Sequence, residues 1–383
     1  MKKKLAIVTT HPIQYNAPLF RALALSSVMD IKVFYTWSQA RESVKDAEFG
    51  REIVWDIPLL EGYEYEWIEN VSRKPKQCFG GLVNPGLISA VEKWRPDAVL
   101  VFGWNFQSHF QAMRHFHGKI PVWFRGDSTV LDKTGRLKSL ARKILLRFVY
   151  SHVDKAFYVG TNNKEYFKTF GLKEKELVFA PHAIDNARFG QATAEQNAKR
   201  WRQQLQFEDD DIVLLYAGKI SDNKNVVRFV ESFIHYKAKK PGSRLKCLIV
   251  GNGADEEMIK SLVSPFVQYL PFQNQSKMPD LYCVGDVFVL PSRSETWGLG
   301  INEAMASGKT VVATGQVGCA VDLVKDGQTG FFFDLSSSNQ NRDLFERLET
   351  ADLKAIGERN RTYIQKWCYR AIVSAIESEI ESI

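Results

Sequence analysis

Cysteine is scarce in this sequence, and its five cysteines stand far apart without a CxxC pair (Cys78, Cys247, Cys283, Cys319 and Cys368). Disulfide frameworks and structural zinc sites need cysteines at closer, regular spacings. The sequence therefore argues against both, and predicts reduced thiols in a cytoplasmic protein.

Long hydrophobic runs are also absent. No apolar stretch approaches the length of about 20 residues that a helix needs to span a bilayer. The chain opens on lysines, as secretory signals do, but only the short apolar run Leu5–Val8 follows them. That run is too short for a signal peptide, so we expect a first buried strand there and no leader.

Two common motifs are missing. Residues 9–16, which follow the first predicted strand, contain no glycine, so a GxGxxG nicotinamide-binding fingerprint is excluded there. The acidic run Glu208–Asp211 precedes a predicted strand instead of following one. We therefore interpret it as a solvated linker turn and not as a metal-binding DxD motif, and we expect no metal site.

Positive charge is concentrated in one half of the chain. Residues 1–187 hold 27 Lys and Arg against 19 Asp and Glu, whereas the remaining residues hold 24 against 25. Such an excess indicates an anionic partner: an acidic membrane surface, a phosphorylated acceptor or nucleic acid. No recognised nucleic-acid motif accompanies the charge, so we expect no nucleic-acid partner.

Short continuous apolar runs alternate with helical patterns along the whole chain. This is typical of parallel strands that are covered by helices on both faces. The first series comprises Leu5–Thr9, Ile31–Tyr35, Ala98–Phe102, Ile120–Phe124, Ala156–Val159 and Leu177–Ala180. The second comprises Ile212–Ala217, Leu245–Val250, Phe266–Leu270, Val287–Leu290 and Thr310–Ala313. Two series predict an α/β protein with two doubly wound, Rossmann-like domains, residues 1–187 and 188–363.

Residues 291–308 are the most informative part of the chain. Glu295 and Glu303 stand eight positions apart, with a glycine-bracketed turn and a predicted helix start between them. A buried strand, a glycine turn and a helix N-terminus together form an anion site. Acids on both sides suit a phosphorylated ligand with hydroxyl groups at both ends, as in a nucleotide sugar.

The pattern resembles the E-x7-E signature of family 4 glycosyltransferases, which are retaining enzymes of the GT-B fold. The resemblance implies that Glu303 holds the ribose, that Glu295 holds the donor sugar, and that the amides of Gly298, Leu299 and Gly300 face the diphosphate. In the alternative, Glu303 only complements a helix dipole and Glu295 is a solvated loop residue.

Two further segments are similar to the family's motifs. Lys219 and Lys224 occupy positions where the family carries an arginine and a lysine that neutralise the departing diphosphate, after a turn at Gly218. Gly251 and Gly253 match its Gly-x-Gly turn, and the resemblance implies that Gly218, Gly251 and Gly253 contact the donor. The alternatives are two solvated lysines and glycines that only form turns.

The N-terminal domain departs from the family pattern. Many relatives have a glycine pair after the first strand, where this chain has His11 in a proline-containing turn. Asp127 stands where many relatives have a histidine near the reacting sugar. We expect His11 to contact a substrate and Asp127 to take part in catalysis. In the alternatives His11 is structural, and Asp127 pairs with Arg125.

The segment from Pro181 to Phe189 resembles the family's hinge. The resemblance would place His182 and Asp185 near the interdomain cleft; in the alternative, the segment is a turn and Asp185 simply caps the next helix. The tail, residues 364–383, is predicted to be a helix that packs back on the N-terminal domain, as in the family.

Residues 133–148 are basic and amphipathic. Basic residues recur among them without any acid between residues 133 and 147, and apolar residues recur at helical spacing (Leu137, Leu140, Ala141, Ile144, Leu145 and Phe148). We expect an ordinary helix that buries this apolar stripe against the sheet. Weak contact of the segment with an anionic membrane would be an addition to that role.

Together, the resemblance implies a metal-independent retaining hexosyltransferase in the cytoplasm, peripheral to the membrane, that moves a sugar from a nucleotide diphosphate-sugar to a sugar or lipid-linked acceptor in cell-surface glycan assembly. No cofactor is expected besides the donor substrate, which would bind in a cleft between the domains. A nucleotide-sugar epimerase or a phosphorylase of the same fold is the alternative.

Overall fold

The computed structural model describes residues 2–40, 44–46, 51–53, 55–131, 136–334 and 336–383. The strands are β1 (Lys3–Thr9), β2 (Met29–Tyr35), β3 (Val44–Asp46), β4 (Arg51–Ile53), β5 (Glu64–Trp67), β6 (Ala98–Phe102), β7 (Val122–Arg125), β8 (Lys155–Tyr158), β9 (Leu177–Phe179), β10 (Ile212–Ala217), β11 (Leu245–Val250), β12 (Val267–Leu270), β13 (Val287–Leu290), β14 (Thr310–Ala313) and β15 (Gly330–Phe332). The α-helices are α1 (Ala17–Ala24), α2 (Leu87–Trp94), α3 (Gln107–Phe116), α4 (Arg136–Tyr150), α5 (Thr161–Thr169), α6 (Asn186–Phe189), α7 (Ala192–Gln204), α8 (Val226–Lys239), α9 (Glu256–Ser261), α10 (Met278–Val284), α11 (Leu299–Ala306), α12 (Ala320–Leu323), α13 (Ser338–Thr350), α14 (Leu353–Tyr363) and α15 (Tyr369–Glu381).

The chain forms two compact units. Unit 1 comprises Met1–Val44, Ile57–His182 and Tyr369–Ile383, and unit 2 comprises Lys45–Asp56 and Ala183–Cys368. Apart from the segment Lys45–Asp56, which belongs to unit 2, the chain makes two crossings: it passes from unit 1 to unit 2 after His182 and returns after Cys368.

Unit 1 contains a seven-stranded sheet in the order β5-β2-β1-β6-β7-β8-β9, with every neighbouring pair parallel. The central runs Leu5–Val8 and Ala98–Val101 are fully buried. Burial of every residue in a run, instead of every second one, follows from helices that cover both faces of the sheet.

The last helix, α15, belongs to unit 1 and packs against α1. It buries Ile372, Ile376 and Ile380, one residue per helical turn, which is the spacing of a single apolar stripe. Polar contacts fix its other side: the Ser26 hydroxyl donates to the Glu377 carboxylate at 2.6 Å.

Unit 2 contains a six-stranded parallel sheet in the order β12-β11-β10-β13-β14-β15. The short strands β3 and β4 form a separate pair. The two large sheets share one feature. In each, the strand order reverses at the first strand: the sheet grows first to one side of it, through β2 or β11, and then to the other side, through β6 or β13.

The prediction of two doubly wound α/β domains is confirmed. Every predicted strand is present with its ends within two residues of the predicted ones. The sequence interpretation missed β5, which lies at a sheet edge and has only half-buried or exposed residues, and β15, which has only three residues. Neither shows the continuous apolar run that marks a central strand.

Candidate active site

In unit 2 the predicted site residues lie after the two strands at which the sheet order reverses. Lys219 and Lys224 follow β10, and Glu295 follows β13. Ligands of open α/β sheets bind at the carboxyl ends of the strands at such a switch point, where adjacent loops part in opposite directions. The topology thus brings together two motifs that are more than 70 positions apart in the sequence.

The two loops are joined directly. Lys224 Nζ forms an ion pair with Glu295 Oε2, and both side chains are about four-fifths buried. The Arg293 amide donates to the Asn223 carbonyl at 2.8 Å, and the Asn223 side chain donates to the Ser294 carbonyl at 2.9 Å. Glu295 is therefore a fixed, paired carboxylate, unlike the solvated loop residue of the alternative.

The second lysine lies nearby in the chain but is placed differently. Lys219 is half-buried, and its backbone carbonyl accepts a hydrogen bond from the Tyr216 hydroxyl at 2.5 Å. That hydroxyl lies in the field of Glu295, which together with burial raises the pKa of Tyr216.

A helix starts inside the predicted interval. Gly298 caps α11 with φ +99°, in the left-handed region that favours glycine, and a Cβ there would lie 2.8 Å from a Leu290 methyl. Gly300 lies in the first turn, where a Cβ would meet the Phe288 ring at 2.8 Å. Small residues thus let the first turn of α11, with its Leu299 amide, approach the sheet closely, and first-turn amides have no partner within a helix.

Glu303 lies one turn into α11 and is buried, with 4% of its surface exposed. Its carboxylate accepts a hydrogen bond from the Tyr282 hydroxyl at 2.7 Å. Burying a carboxylate costs more free energy than its interaction with a helix dipole returns. The structure therefore disfavours the alternative that Glu303 only complements the dipole of α11.

The motif loop is also clamped from its other side. The Glu295 amide donates to the Gln316 carbonyl at 3.2 Å, and the Gly318 amide donates back to the Glu295 carbonyl at 3.0 Å. The Cys319 amide donates to the Trp297 carbonyl at 2.9 Å. Residues 316–319 therefore fix the loop backbone in the manner of an added strand.

The glycines after β10 and β11 have a structural reason of their own. A Cβ on Gly251 would lie 1.8 Å from the Gly218 carbonyl oxygen, and one on Gly253 would lie 2.1 Å from the Ile220 carbonyl oxygen. The two loops thus pack backbone against backbone. Contact of these glycines with a ligand stays a prediction.

In unit 1, His11 follows β1 and is buried. Its Nδ1 lies 3.0 Å from the Thr10 hydroxyl, and its ring meets Trp37 edge-on at 5.2 Å. Burial lowers the pKa of His11 from 6.5 to about 4, so the imidazole is neutral at pH 7. These contacts suffice for a structural role, and substrate contact stays a prediction.

Asp127 lies two residues beyond β7, with about half of its side chain exposed. The His182 Nε2 lies 4.0 Å from its carboxylate. The pKa of His182 is lowered to about 4, mainly because the ring is buried. The Asp127 carboxylate opposes this shift, and the Arg125 guanidinium adds to it. Arg125 is buried, and its guanidinium donates to the carbonyls of Ala180 at 2.8 Å and Pro181 at 3.0 Å. The Arg125 fork is thus engaged by backbone carbonyls, and Asp127 remains accessible.

Asp185 caps α6: its carboxylate accepts from the Arg188 amide at 3.2 Å. The capping alternative for this residue is therefore confirmed.

The sequence interpretation missed two residues of the site. Tyr282 contacts the motif through a hydrogen bond, and Trp367 contacts it through ring packing. Only their spacing in the folded chain reveals them, because no local sequence pattern connects them with the motif.

Helix α4 covers most of the predicted basic segment, although Lys133 lies outside the described residues. The helix carries five basic residues and no acid. Its apolar residues Leu140, Ile144, Leu145 and Phe148 are each at least half exposed, whereas Leu146, Val149 and Tyr150 are buried. The helix thus buries one stripe in the core, as expected, but the expectation is wrong for these four exposed residues, which we call the apolar face of α4.

Two searches over the described part of the chain gave negative results. No helix there is long and apolar enough to cross a membrane. No group of three or more His, Cys, Asp or Glu side chains there is placed to hold a metal ion.

The second half of the chain is similar in sequence to known glycosyltransferases. Residues 197–365 match the family model described as glycosyl transferases group 1. Alpha-monoglucosyldiacylglycerol synthase of Acholeplasma laidlawii is 28% identical over 255 residues, which cover 64% of this chain and 58% of the relative. Lipopolysaccharide 1,2-N-acetylglucosaminetransferase of Salmonella typhimurium is 26% identical over 197 residues, which cover 47% of this chain and 51% of the relative. The chain thus spans only about half of the length of these relatives.

The fold is similar to that of solved structures over the whole chain. The structure of Anabaena HepE in complex with UDP-glucose has a TM-score of 0.70 at 17% identity and covers 99% of this chain and 100% of that one. The two parallel sheets have the GT-B fold, and residues 197–365 match the family of glycosyl transferases group 1.

Proposed function

We propose that this protein transfers a sugar from a nucleotide diphosphate-sugar to an acceptor, with retention at the anomeric carbon and without a metal ion. One observation carries the proposal: the loops after β10 and β13 are joined by the Lys224–Glu295 pair beside a helix that starts at a left-handed glycine. The family match over residues 197–365 and the glycosyltransferase names of the relatives support it.

Unit 2 would bind the donor. Lys219, Lys224 and the first amides of α11 would contact the diphosphate, and the buried Glu303 would accept hydrogen bonds from the ribose hydroxyls. The complex of HepE with UDP-glucose supports a donor of this class. The positive groups aid the reaction only where their stabilisation grows as charge develops on the departing diphosphate.

The reaction breaks the bond between the anomeric carbon and the diphosphate oxygen, and the electron pair goes to that oxygen. The acceptor hydroxyl forms the new bond on the same face, and its proton passes to the departing phosphate. Glu295 would orient the donor sugar. Asp127 would accept a hydrogen bond from a sugar hydroxyl or stabilise positive charge at the anomeric carbon.

A nucleotide-sugar panel tests the donor assignment. We expect one of the UDP-, GDP- or ADP-sugars to raise the melting temperature, since a ligand that binds only the native state stabilises it. Analysis of the product by NMR then checks transfer and anomeric configuration. Release of an epimerised nucleotide sugar, or of a sugar phosphate, would instead identify an epimerase or a phosphorylase.

We further infer that the acceptor side of unit 1 works at an anionic membrane, with the enzyme in the cytoplasm. The apolar face of α4 lies beside Arg142, Lys143 and Arg147 on the same helix. Exposed apolar side chains among basic ones suit the boundary between lipid headgroups and acyl chains. The glycolipid and lipopolysaccharide enzymes among the relatives support an acceptor of this kind.

Vesicle sedimentation tests the membrane contact. We expect binding to vesicles that contain phosphatidylglycerol and not to pure phosphatidylcholine. The double variant Ile144→Ser/Phe148→Ser should lose binding, while the control Val321→Ser, at an exposed position of unit 2, should keep it. Equal binding by both variants would contradict the role of the apolar face of α4.

A further inference from the structure

Trp297 lies inside the E-x7-E loop, between Glu295 and Gly298, and is packed from both sides. Its indole N–H donates to the Asn302 side chain at 2.9 Å. Its ring packs against Trp367 with centroids 5.2 Å apart and planes inclined by 37°, and both rings are over nine-tenths buried. The position of the loop thus depends on a residue 70 positions later in the chain.

Trp367 is held at the point where the chain leaves unit 2. The Asn186 side chain donates to the carbonyls of Ile364 at 3.2 Å and Trp367 at 3.3 Å. Asn186 itself stands just after the chain enters unit 2, and Trp367 stands just before it leaves. Both crossings are therefore tied together next to the donor loop, within unit 2.

Two residues beyond Trp367, the chain is anchored in unit 1. The Tyr369 hydroxyl donates to the Tyr15 carbonyl at 3.0 Å. Tyr15 belongs to the loop after β1 that contains His11. Tyr369 also lies in the electrostatic field of Arg125, which holds the carbonyls before the first crossing.

We propose that Trp367–Cys368–Tyr369 is a relay that couples donor binding in unit 2 to the order of the loop of residues 10–16 in unit 1. Three residues span at most about 10 Å when extended, so movement of one anchored end has little slack to absorb it. Trp367 and Tyr369 are positioning residues. The inference rests on the proposed function, namely on donor binding at residues 295–303.

Coupling of this kind is reciprocal. A nucleoside diphosphate that shifts Trp297 would order the loop of residues 10–16, and an acceptor bound at that loop would tighten donor binding by the same factor.

Hydrogen exchange of the full chain tests the relay, with the one of UDP, GDP and ADP that gives the largest thermal shift as the probe. In the wild type we expect the nucleotide to slow exchange at residues 295–303 and, by about fivefold or more, the low end of typical coupling, at residues 10–16. Tyr369→Phe should retain nucleotide affinity and the response at 295–303, but lose the response at 10–16.

Tyr363→Phe is the matched control, because it removes a hydroxyl that donates to the Asp322 carbonyl inside unit 2 at 2.9 Å. It should keep both responses. Trp367→Phe, which retains a ring, should preserve part of the response. A purely structural role of Tyr369 would lower the melting temperature without abolishing the nucleotide-dependent difference.

The outcomes separate the two proposals. Two results would overturn the relay and leave the donor site standing. In the first, the nucleotide slows exchange at residues 295–303 of the wild type but not at residues 10–16. In the second, the slowing at residues 10–16 survives in Tyr369→Phe. Absence of a nucleotide response at 295–303 overturns the donor assignment and the relay with it.

Discussion

The two sheets have the same kind of topology, but different chemistry holds the loops at their carboxyl edges. In unit 1, buried polar side chains connect the strand ends: His109 bonds the Gly103 carbonyl at 2.9 Å and the Thr36 hydroxyl at 2.9 Å, and Asn84 donates to the carbonyls of Thr36 and Ile68. In unit 2, backbone-to-backbone contacts at glycines and an ion pair do the same work. The unit 1 edge is therefore held by hydrogen bonds between neutral groups. The unit 2 edge is held by close contacts that only glycine permits and by the ion pair of Lys224 with Glu295.

This difference implies different sensitivities. A buried neutral histidine makes stability depend on pH, whereas a glycine in close contact makes it depend on any added methyl group. The predictions below test this contrast.

Gly251→Ala should have the largest effect, because the new methyl group would overlap the Gly218 carbonyl oxygen, which is backbone and cannot turn away. We expect a loss of about 4 kcal/mol or more in the free energy of unfolding, or no folded protein. Urea unfolding measures it. Gly242→Ala is the control, since no atom lies within 4 Å of its Cβ position, and it should change stability by less than about 0.5 kcal/mol. Equal stability of the two variants would contradict the close contact.

Glu295→Ala should lower the transfer rate by about 100-fold, in the range found when one preorganised polar group is removed from an active site. Its fold should persist, because the carboxylate and its partner Lys224 retain some contact with water. Steady-state kinetics with the identified donor measure the effect. Glu257→Ala, at an exposed acid of the same unit, should keep the wild-type rate. A wild-type rate for Glu295→Ala would remove this residue from the site.

Lowering the pH should weaken unit 1 through its histidines. Burial lowers the pKa of His109 to about 4, although its backbone hydrogen bonds oppose the shift. The unfolded chain takes up the proton near pH 6.5, but the folded chain only near pH 4. The free energy of unfolding should therefore fall between these values, by about 3 kcal/mol at most.

His109→Gln checks this origin. The variant should be less stable at pH 7.5, but its stability should fall less between pH 6.5 and 4.5 than that of the wild type. His235→Gln, at an exposed position of unit 2, should leave the pH dependence as it is. The same slope in all three proteins would place the pH dependence elsewhere.

Glu303→Ala should have the smallest effect. It should leave the turnover rate nearly unchanged and lower the affinity for the donor. Loss of the ribose contacts should weaken donor binding by about tenfold, the value of one or two net hydrogen bonds. Calorimetric titration measures it. Tyr282→Phe keeps the carboxylate but removes the hydroxyl that orients it, so it should weaken binding less. Unchanged affinity of Glu303→Ala would contradict the assignment to ribose.

The same contrast explains what the sequence could predict. The unit 2 edge is built from glycines and charges within short segments after strands, so residues 291–308 show strand, turn and helix in one window. The unit 1 edge is built from residues such as Asn84 and His109, which bond Ile68 and Thr36 at distances of 16 and 73 positions along the chain. Contacts between residues so far apart produce no recognisable local motif, so the sequence did not predict the role of His109.

The periodicity of α4 also could not predict which of its apolar residues are buried, because that depends on packing. Its apolar residues recur at helical spacing whether they face the core or solvent, and only the position of the neighbouring elements determines which stripe is buried. Edge strand β5 was missed for a related reason, since half-exposed residues need not be apolar.

The membership of α15 in unit 1 has a consequence for synthesis. Unit 1 lacks one of its packing layers until residues 369–381 have been made, although most of its residues emerge first. At a translation rate of about 5–20 residues per second, the nascent first half waits roughly ten to forty seconds while unit 2 is made. During that interval the α1 surface that α15 will cover stays uncovered, so the first half of the chain completes its core only after the second half has been made.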